Sequence, residues 1–333
     1  MRLLVLGGTH FVGRALVAEA LRRGDEVTTV TRGVSGAPAD GATAVHADRT
    51  RPGSLAEALA GGTWDAVVDT WSGAPAVARE SARLLADRAA HYGYVSSRSV
   101  YRWPIPPGAD ESAPVVDADA GSTDPSDYAA AKRGGELAVL ESFAGRSLLA
   151  RAGLILGPHE DVGRLPWWLD RISRGGPVVA PGPRDRGLQY VDARDLAAWM
   201  LDAAARALDG TFDAVSRPGH TTTAELLETC NEVTGGGAEL VWVAPEVVED
   251  AGVSPWTDLP IWAPPTGELA GLHEGDTSAA LTHGLRCRPV QETVADTWRW
   301  LQQDGFPPPK PGRPELGLSA DAERRLLEAA SSP

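Results

Sequence analysis

Along the first half of the chain, short apolar runs alternate with stretches whose apolar residues recur at helical spacing. Residues 3–6, 26–31, 42–46, 66–70 and 92–97 read as strands, and 11–23, 54–59 and 76–89 as the helices between them. Leu16, Ala20 and Leu21 share one face of the first helix. A further helix is expected over 125–143, then a strand over 147–156. Repeated strand–helix units imply an α/β fold, a doubly wound parallel sheet of Rossmann type with right-handed crossovers.

After Gly157 the texture changes to proline and tryptophan, with Trp167, Trp168, Trp242, Trp256 and Trp262 among irregular segments. The expected organisation is a dinucleotide-binding domain over 1–156, joined by elements from about 186–215. A smaller, mainly substrate-binding region over 157–306 would cover the carboxyl ends of the strands, where such sheets bind ligands. The remainder, 307–333, starts proline-rich, ends in a short charged helix and is expected to be peripheral.

The 333 residues carry a net charge of −14, which opposes non-specific binding to nucleic acid. No apolar run approaches the ~20 residues of a membrane span, and the start MRLLVLGG is too short for a signal-peptide core, so the chain is expected in the cytoplasm. Cys230 and Cys287 form no metal-ligand pattern, and no metal is expected. Arginine outnumbers lysine 29 to two, so Lys132 and Lys310 stand out.

The motif Gly7-x-x-His10-x-x-Gly13 lies between an expected strand and an expected helix. Gly7 allows the tight turn, Gly13 allows close packing of helix on strand, and backbone N–H groups at Phe11 and Val12 would face a pyrophosphate. His10 replaces the usual middle glycine, so its side chain either turns outward or bonds to the cofactor or substrate. Thr9 and Thr70 belong to the same candidate site. The second strand ends Thr31-Arg32-Gly33 with no acid before Asp40, which favours NADP over the alternative, NAD. Asp48 is placed either to touch the adenine or to cap the following helix.

SDYAAAK puts Tyr128 and Lys132 four residues apart, on one face of a helix. An ammonium beside a phenol stabilises the phenolate and suits it to proton transfer near neutral pH. In VSSRSVY, Ser96 and Ser97 end a strand, where a hydroxyl can donate to a substrate carbonyl.

GGTHFVG, VSSRSVY and YAAAK, in that order and spacing, resemble the extended or atypical branch of the short-chain dehydrogenase/reductase superfamily, the NAD-dependent epimerase/dehydratase family. Stretches at 151–161, 188–197 and 276–301 are similar to that branch as well. The resemblance implies that Ser97 is the catalytic serine, Tyr128 the acid/base and Lys132 the residue that holds the nicotinamide ribose. It also implies that Gly153, Leu154 and Ile155 pass near the nicotinamide, and that homodimers are possible. Two departures stand out. Asp69-Thr70-Trp71-Ser72-Gly73 replaces the usual asparagine-containing stretch, and the only asparagine is Asn231, so another group must complete any proton relay.

Three readings follow: a reductase or dehydrogenase acting on a carbonyl or alcohol carbon of a small molecule, a nucleotide-sugar epimerase or dehydratase with retained cofactor, and a non-catalytic nucleotide- or RNA-binding protein. Charge and the Ser97, Tyr128, Lys132 set disfavour the third. Candidate substrate residues are Trp71, Arg98, Trp103, His159, Arg164, Trp167, Trp168 and Arg184, whose arginines could grip a diphosphate and whose tryptophans could stack on a base or wall an apolar ligand. Packing tryptophans and solvated arginines would leave the same pattern. Asp192, Arg194 and Asp195 are expected to form a structural ion-pair cluster.

Overall fold

A computed structural model describes residues 1–34, 36–308 and 315–330. Seven strands build the central sheet: β1 (Arg2–Leu6), β2 (Glu26–Thr31), β3 (Thr43–His46), β4 (Trp64–Asp69), β5 (Ala89–Ser97), β6 (Ser147–Ala152) and, later in the chain, Gly210–Ala214. Every pair is parallel, and the order runs from Gly210–Ala214 through β6, β5, β4, β1 and β2 to β3. The order therefore reverses at β1, the position at which sheets of this kind bind ligands. The inner strands β1 and β4 are buried along most of their length because helices cover both faces.

Helices α1 (Phe11–Arg22), α2 (Ser54–Leu59), α3 (Pro75–Leu85) and α4 (Tyr128–Phe143) supply the crossovers. Leu16, Val17 and Ala20 of α1 are buried with Leu3 and Val5 in one core layer, and α3 and α4 pack against each other on the opposite face. Each fully buried Leu or Val side chain contributes roughly 1.5–3 kcal/mol. The expected helix over 125–143 starts at Tyr128, because the Asp127 carboxylate accepts the N–H of Ala130 and caps it there. The expected strand over 147–156 is two strands, β6 and β7 (Leu154–Leu156), parted at Gly153, where a Cβ would meet the Val215 side chain at 2.7 Å.

The second region holds α5 (Arg164–Ser173), β8 (Gly176–Pro181), β9 (Gly187–Leu188) and β10 (Tyr190–Asp192). Next, α6 (Ala193–Ala205) packs on α1, and β11 (Gly210–Ala214) is the edge strand already placed beside β6. Then come β12 (Thr221–Thr222), α7 (Thr223–Thr234), β13 (Ala238–Val243), α8 (Pro245–Asp250), α9 (Ser278–Thr282), α10 (Val290–Asp304) and α11 (Ala320–Ala330). A separate core joins α5, α7, α10 and the β8–β13 pair. Where the sequence suggests a peripheral tail, α11 packs on β8 and β13 with Leu326 fully buried, and Glu323 accepts from Arg171 at 2.8 Å. Residues 309–314 and 331–333 of that tail lie outside the described residues. Among the described residues no helix is long and apolar enough to cross a membrane, and no cluster of metal-ligating side chains occurs.

Candidate active site

The glycine loop is built for close approach. Gly7 and Gly8 have φ of +118° and +137°, in the region that favours glycine. A Cβ on Gly7 would stand 2.3 Å from the Thr70 hydroxyl, which itself donates to the Leu6 carbonyl. A Cβ on Gly13 would stand 2.7 Å from the Gly8 nitrogen, so only glycine lets α1 begin against the turn. His10 is the N-cap residue of α1, yet its side chain caps nothing and the first turn holds no acid. The leading N–H groups and the positive end of the helix dipole are thus left for an anion, and the loop fits a pyrophosphate. The imidazole turns instead toward Asp161, with Nδ1 3.6 Å from Oδ2. Thr9 lies beside Gly36, whereas Phe11 and Val12 pack their side chains on the first core and offer only backbone to a ligand.

Arg32 is exposed just after β2, and its charge helps hold the Asp48 carboxyl below its ordinary range, although the larger cause is hydrogen bonding from Thr50. Thr50 donates both its hydroxyl and its N–H to Asp48, at 2.7 and 3.0 Å. At the end of β4, Asp69 is fully buried and receives two bonds of 2.7 Å from Arg49, one of 2.8 Å from the Tyr92 hydroxyl and one of 2.9 Å from the Trp71 N–H. Arg49 holds that carboxyl below its usual value, while burial pushes the Tyr92 phenol well up.

Tyr128 opens α4 and is half-exposed, unlike the four other tyrosines. One turn on, Lys132 is buried, and its ammonium donates to the carbonyls of Trp71 at 2.6 Å and Val95 at 2.7 Å, above the Tyr94 ring. Burial lowers the Lys132 pKa to about 8, with Asp69 and Glu136 holding it up. Ser97 stands where β5 gives way to a 3₁₀ turn; its hydroxyl accepts from the Ser99 N–H and donates to the Ser99 hydroxyl, both at 3.1 Å. Ser96 points elsewhere, donating to Glu136 at 2.7 Å. Glu136 is fully buried and also held by Arg151 and Arg133, so it fastens α4 to β5 and β6.

Several expected ligand-facing side chains have other partners. Arg98 is buried, with Nε 3.1 Å from Asp213 and Nη1 donating to the Leu272 carbonyl; a charge inside the protein must be paired, and this one is. Trp168 is 1% exposed in the second core, donating to the Pro260 carbonyl, so it is a packing residue rather than a substrate contact. Leu154 is buried in that core too, which leaves only its backbone to face a cofactor. Trp167 packs edge-on against Trp168, and the Gly317 backbone closes on its indole. His159 lies 5.0 Å from the Trp300 ring, and burial lowers its pKa. The Trp71 indole donates to the Ala74 carbonyl under the Arg49 guanidinium. Trp103 is half-buried and joined to Pro104 by a cis bond. Arg164 lies over the Trp256 ring, and Arg184 pairs with Glu228. Asp192, Arg194 and Asp195 do form an ion-pair cluster, extended by Arg288 and Asp296.

A cavity of about 770 Å³ lies between α5 and the tail, lined by Asp161, Trp167, Trp256 and Phe306 among others, rather than at Tyr128. Asp161, which faces His10, is its connection to the glycine loop.

Sequence reading missed Arg49, Asp69, Glu136 and Arg151 as parts of the site. For Asp69 and Arg151 a charged residue inside an otherwise apolar strand, as in AVVD and LLARAG, is the available signal, since burial of a charge requires a partner; Arg49, in a loop, and Glu136, on a helix, carry no such signal.

Residues 3–212 match the model of the NAD dependent epimerase/dehydratase family. No curated protein matches the chain. Among solved structures, the Bordetella bronchiseptica enzyme WbmH in complex with NAD⁺ superposes with a TM-score of 0.68 at 17% identity, covering 91% of this chain and 99% of that one. WbmG from the same organism, in complex with NAD and UDP, has a TM-score of 0.68 at 17% identity over 95% and 99% of the two chains. The UDP-glucose 4-epimerase of Thermus thermophilus, in complex with NAD, has a TM-score of 0.64 at 21% identity over 91% and 100%. At these identities the likeness is one of fold.

Proposed function

The chain belongs to the NAD dependent epimerase/dehydratase family, and on that premise we propose that it is an NADP(H)-dependent oxidoreductase acting at a carbonyl or alcohol carbon of a small molecule. The observation that carries this reading is the seat of Lys132: a buried ammonium, one helical turn from the half-exposed Tyr128, held by the Trp71 and Val95 carbonyls. Burial costs a lysine hydration that two carbonyls only partly return. An ammonium held there can act on the neighbouring phenol.

The nicotinamide supplies the hydride chemistry when bound. The chain's residues do the rest. Gly7, Gly8 and the leading N–H groups of α1 bind the pyrophosphate, with Thr9 and Thr70 shaping the turn, and Gly153 and the Leu154 backbone approach the nicotinamide. Asp48 and Arg32 flank the adenosine end, where the Arg32 guanidinium would take a 2′-phosphate. Lys132 has a third N–H for a ribose hydroxyl and stabilises the Tyr128 phenolate. Tyr128 gives a proton to the developing alkoxide, or takes one from an alcohol, while the Ser97 hydroxyl orients the substrate oxygen.

The second reading, a nucleotide-sugar epimerase with retained cofactor, draws on the structural likeness to the Thermus thermophilus enzyme. Its weakness is the diphosphate. Arg98 is spent on Asp213, Arg184 on Glu228 and Arg186 on Glu274. The deciding experiment is mass spectrometry of the cofactor carried through purification, together with a consumption assay. Stoichiometric NADPH oxidation by a carbonyl substrate supports reduction; retained NAD(P)⁺ with no net consumption overturns it in favour of epimerisation.

A further inference from the structure

The seat of Lys132 is itself held from below. Asp69 accepts the Trp71 N–H at 2.9 Å, which anchors the residue whose carbonyl, in the next peptide unit, takes the ammonium. Arg49, from the segment after β3, grips both Asp69 oxygens at 2.7 Å and lies 5.1 Å from the centroid of the Trp71 ring. The Ser81 hydroxyl fixes Arg49 in turn at 2.8 Å. Trp71 is therefore held through its N–H and its indole, and its carbonyl also accepts the Tyr94 hydroxyl at 3.1 Å.

We infer that Asp69, clamped by Arg49, is the positioning residue for Lys132: it orients the Trp71 carbonyl that seats the ammonium and places a carboxylate from β4 behind it. This rests on the reading of Lys132 given above. Arg49 directly follows Asp48, so the same clamp ties the segment expected at the adenosine end of the cofactor to the lysine at the reacting end.

Other groups face Lys132. Glu136 lies one turn further on α4, Tyr128 one turn before, the Tyr94 ring beneath it from β5, and Arg49 behind Asp69. The charge of Glu136 is already shared by Ser96, Arg133 and Arg151. Asp69 differs in being tied through one residue, Trp71, to the ammonium itself.

The test uses the full chain and its two lysines. Labelled with ¹³C at Cε, the protein shows two lysine resonances, assigned with Lys310→Arg. Burial is expected to bring the Lys132 midpoint down to about 8 in the wild type, and Asp69→Asn to move it further down by about one pH unit. Because that variant strands the Arg49 charge in the interior, the paired replacement Asp69→Asn with Arg49→Met, which removes both charges, is measured alongside it. A smaller downward displacement is expected there, because loss of the Arg49 charge acts in the opposite direction; a midpoint that stays in place in Asp69→Asn, with that variant folded, overturns the inference. Failure of the functional reading is separable: it would show as unchanged cofactor affinity and turnover in Lys132→Met, whatever the midpoint does.

Discussion

The imidazole Nδ1 of His10 lies 3.6 Å from the Asp161 carboxylate, across the opening between the glycine loop and the segment that leads into α5. The side chain that stands in place of a glycine is therefore aimed at the second region and not at the N–H groups it precedes. A pair this exposed contributes about 0–1 kcal/mol. His10→Gly is expected to leave cofactor affinity within about threefold of the wild type, by isothermal titration calorimetry; a loss beyond about tenfold, 1.4 kcal/mol, would mean that the imidazole bonds to the cofactor.

Tyr128 carries the proton in the proposed reaction but is half-exposed at the first position of its helix. Tyr128→Phe should lower turnover by about 10²–10⁴ while cofactor affinity and melting temperature stay near the wild type. An active variant would remove Tyr128 from the mechanism.

Arg32 is the proposed basis of cofactor choice. A charge-assisted bond contributes about 1.5–3 kcal/mol, so Arg32→Ala should weaken NADP binding by about tenfold or more and leave NAD binding unchanged. Equal loss for both cofactors, or none for either, would count against the assignment.

Trp168 belongs to the second core. Trp168→Ala should cost about 3–5 kcal/mol of stability in chemical denaturation, because it opens a cavity and leaves the Pro260 carbonyl without its N–H donor. A variant that kept wild-type stability and lost substrate affinity would restore Trp168 as a ligand contact.

Glu160 gives a pH dependence with a definite sign. It is fully buried beneath the start of α5, where it accepts the N–H groups of Arg164 and Leu165, and burial pushes its pKa up to about 7 against those bonds. A carboxyl raised in the folded state holds a proton that the unfolded chain has released, from the ordinary carboxyl pKa up to about 7. Its contribution to stability therefore falls as pH rises through that window, by a few kcal/mol in total. Comparing unfolding free energies at pH 5 and pH 8, Glu160→Gln should lose this fall; an identical pH dependence in the variant would show that Glu160 is already ionised when folded.

The paired apolar and helical periods, the glycine turn after β1 and the tyrosine–lysine spacing on α4 are local, written within about 15 residues. For that reason the parallel sheet and the Tyr128, Lys132 pair are legible in the sequence alone. What tertiary structure decided are the partners of charged and aromatic residues far apart in the chain. Arg98 reads as a ligand-facing arginine until Asp213, 115 positions away, takes its charge. Trp168 reads as a stacking surface until the carbonyl of Pro260 and the second core enclose it. Asp69 and Arg49, 20 positions apart, look like ordinary strand-end charges until the fold brings them beneath Trp71. Hydrophobic periodicity records only which side of an element turns inward; which buried charge meets which is set by the packing of elements, and at Lys132 that meeting supplies the seat on which the proposed chemistry depends.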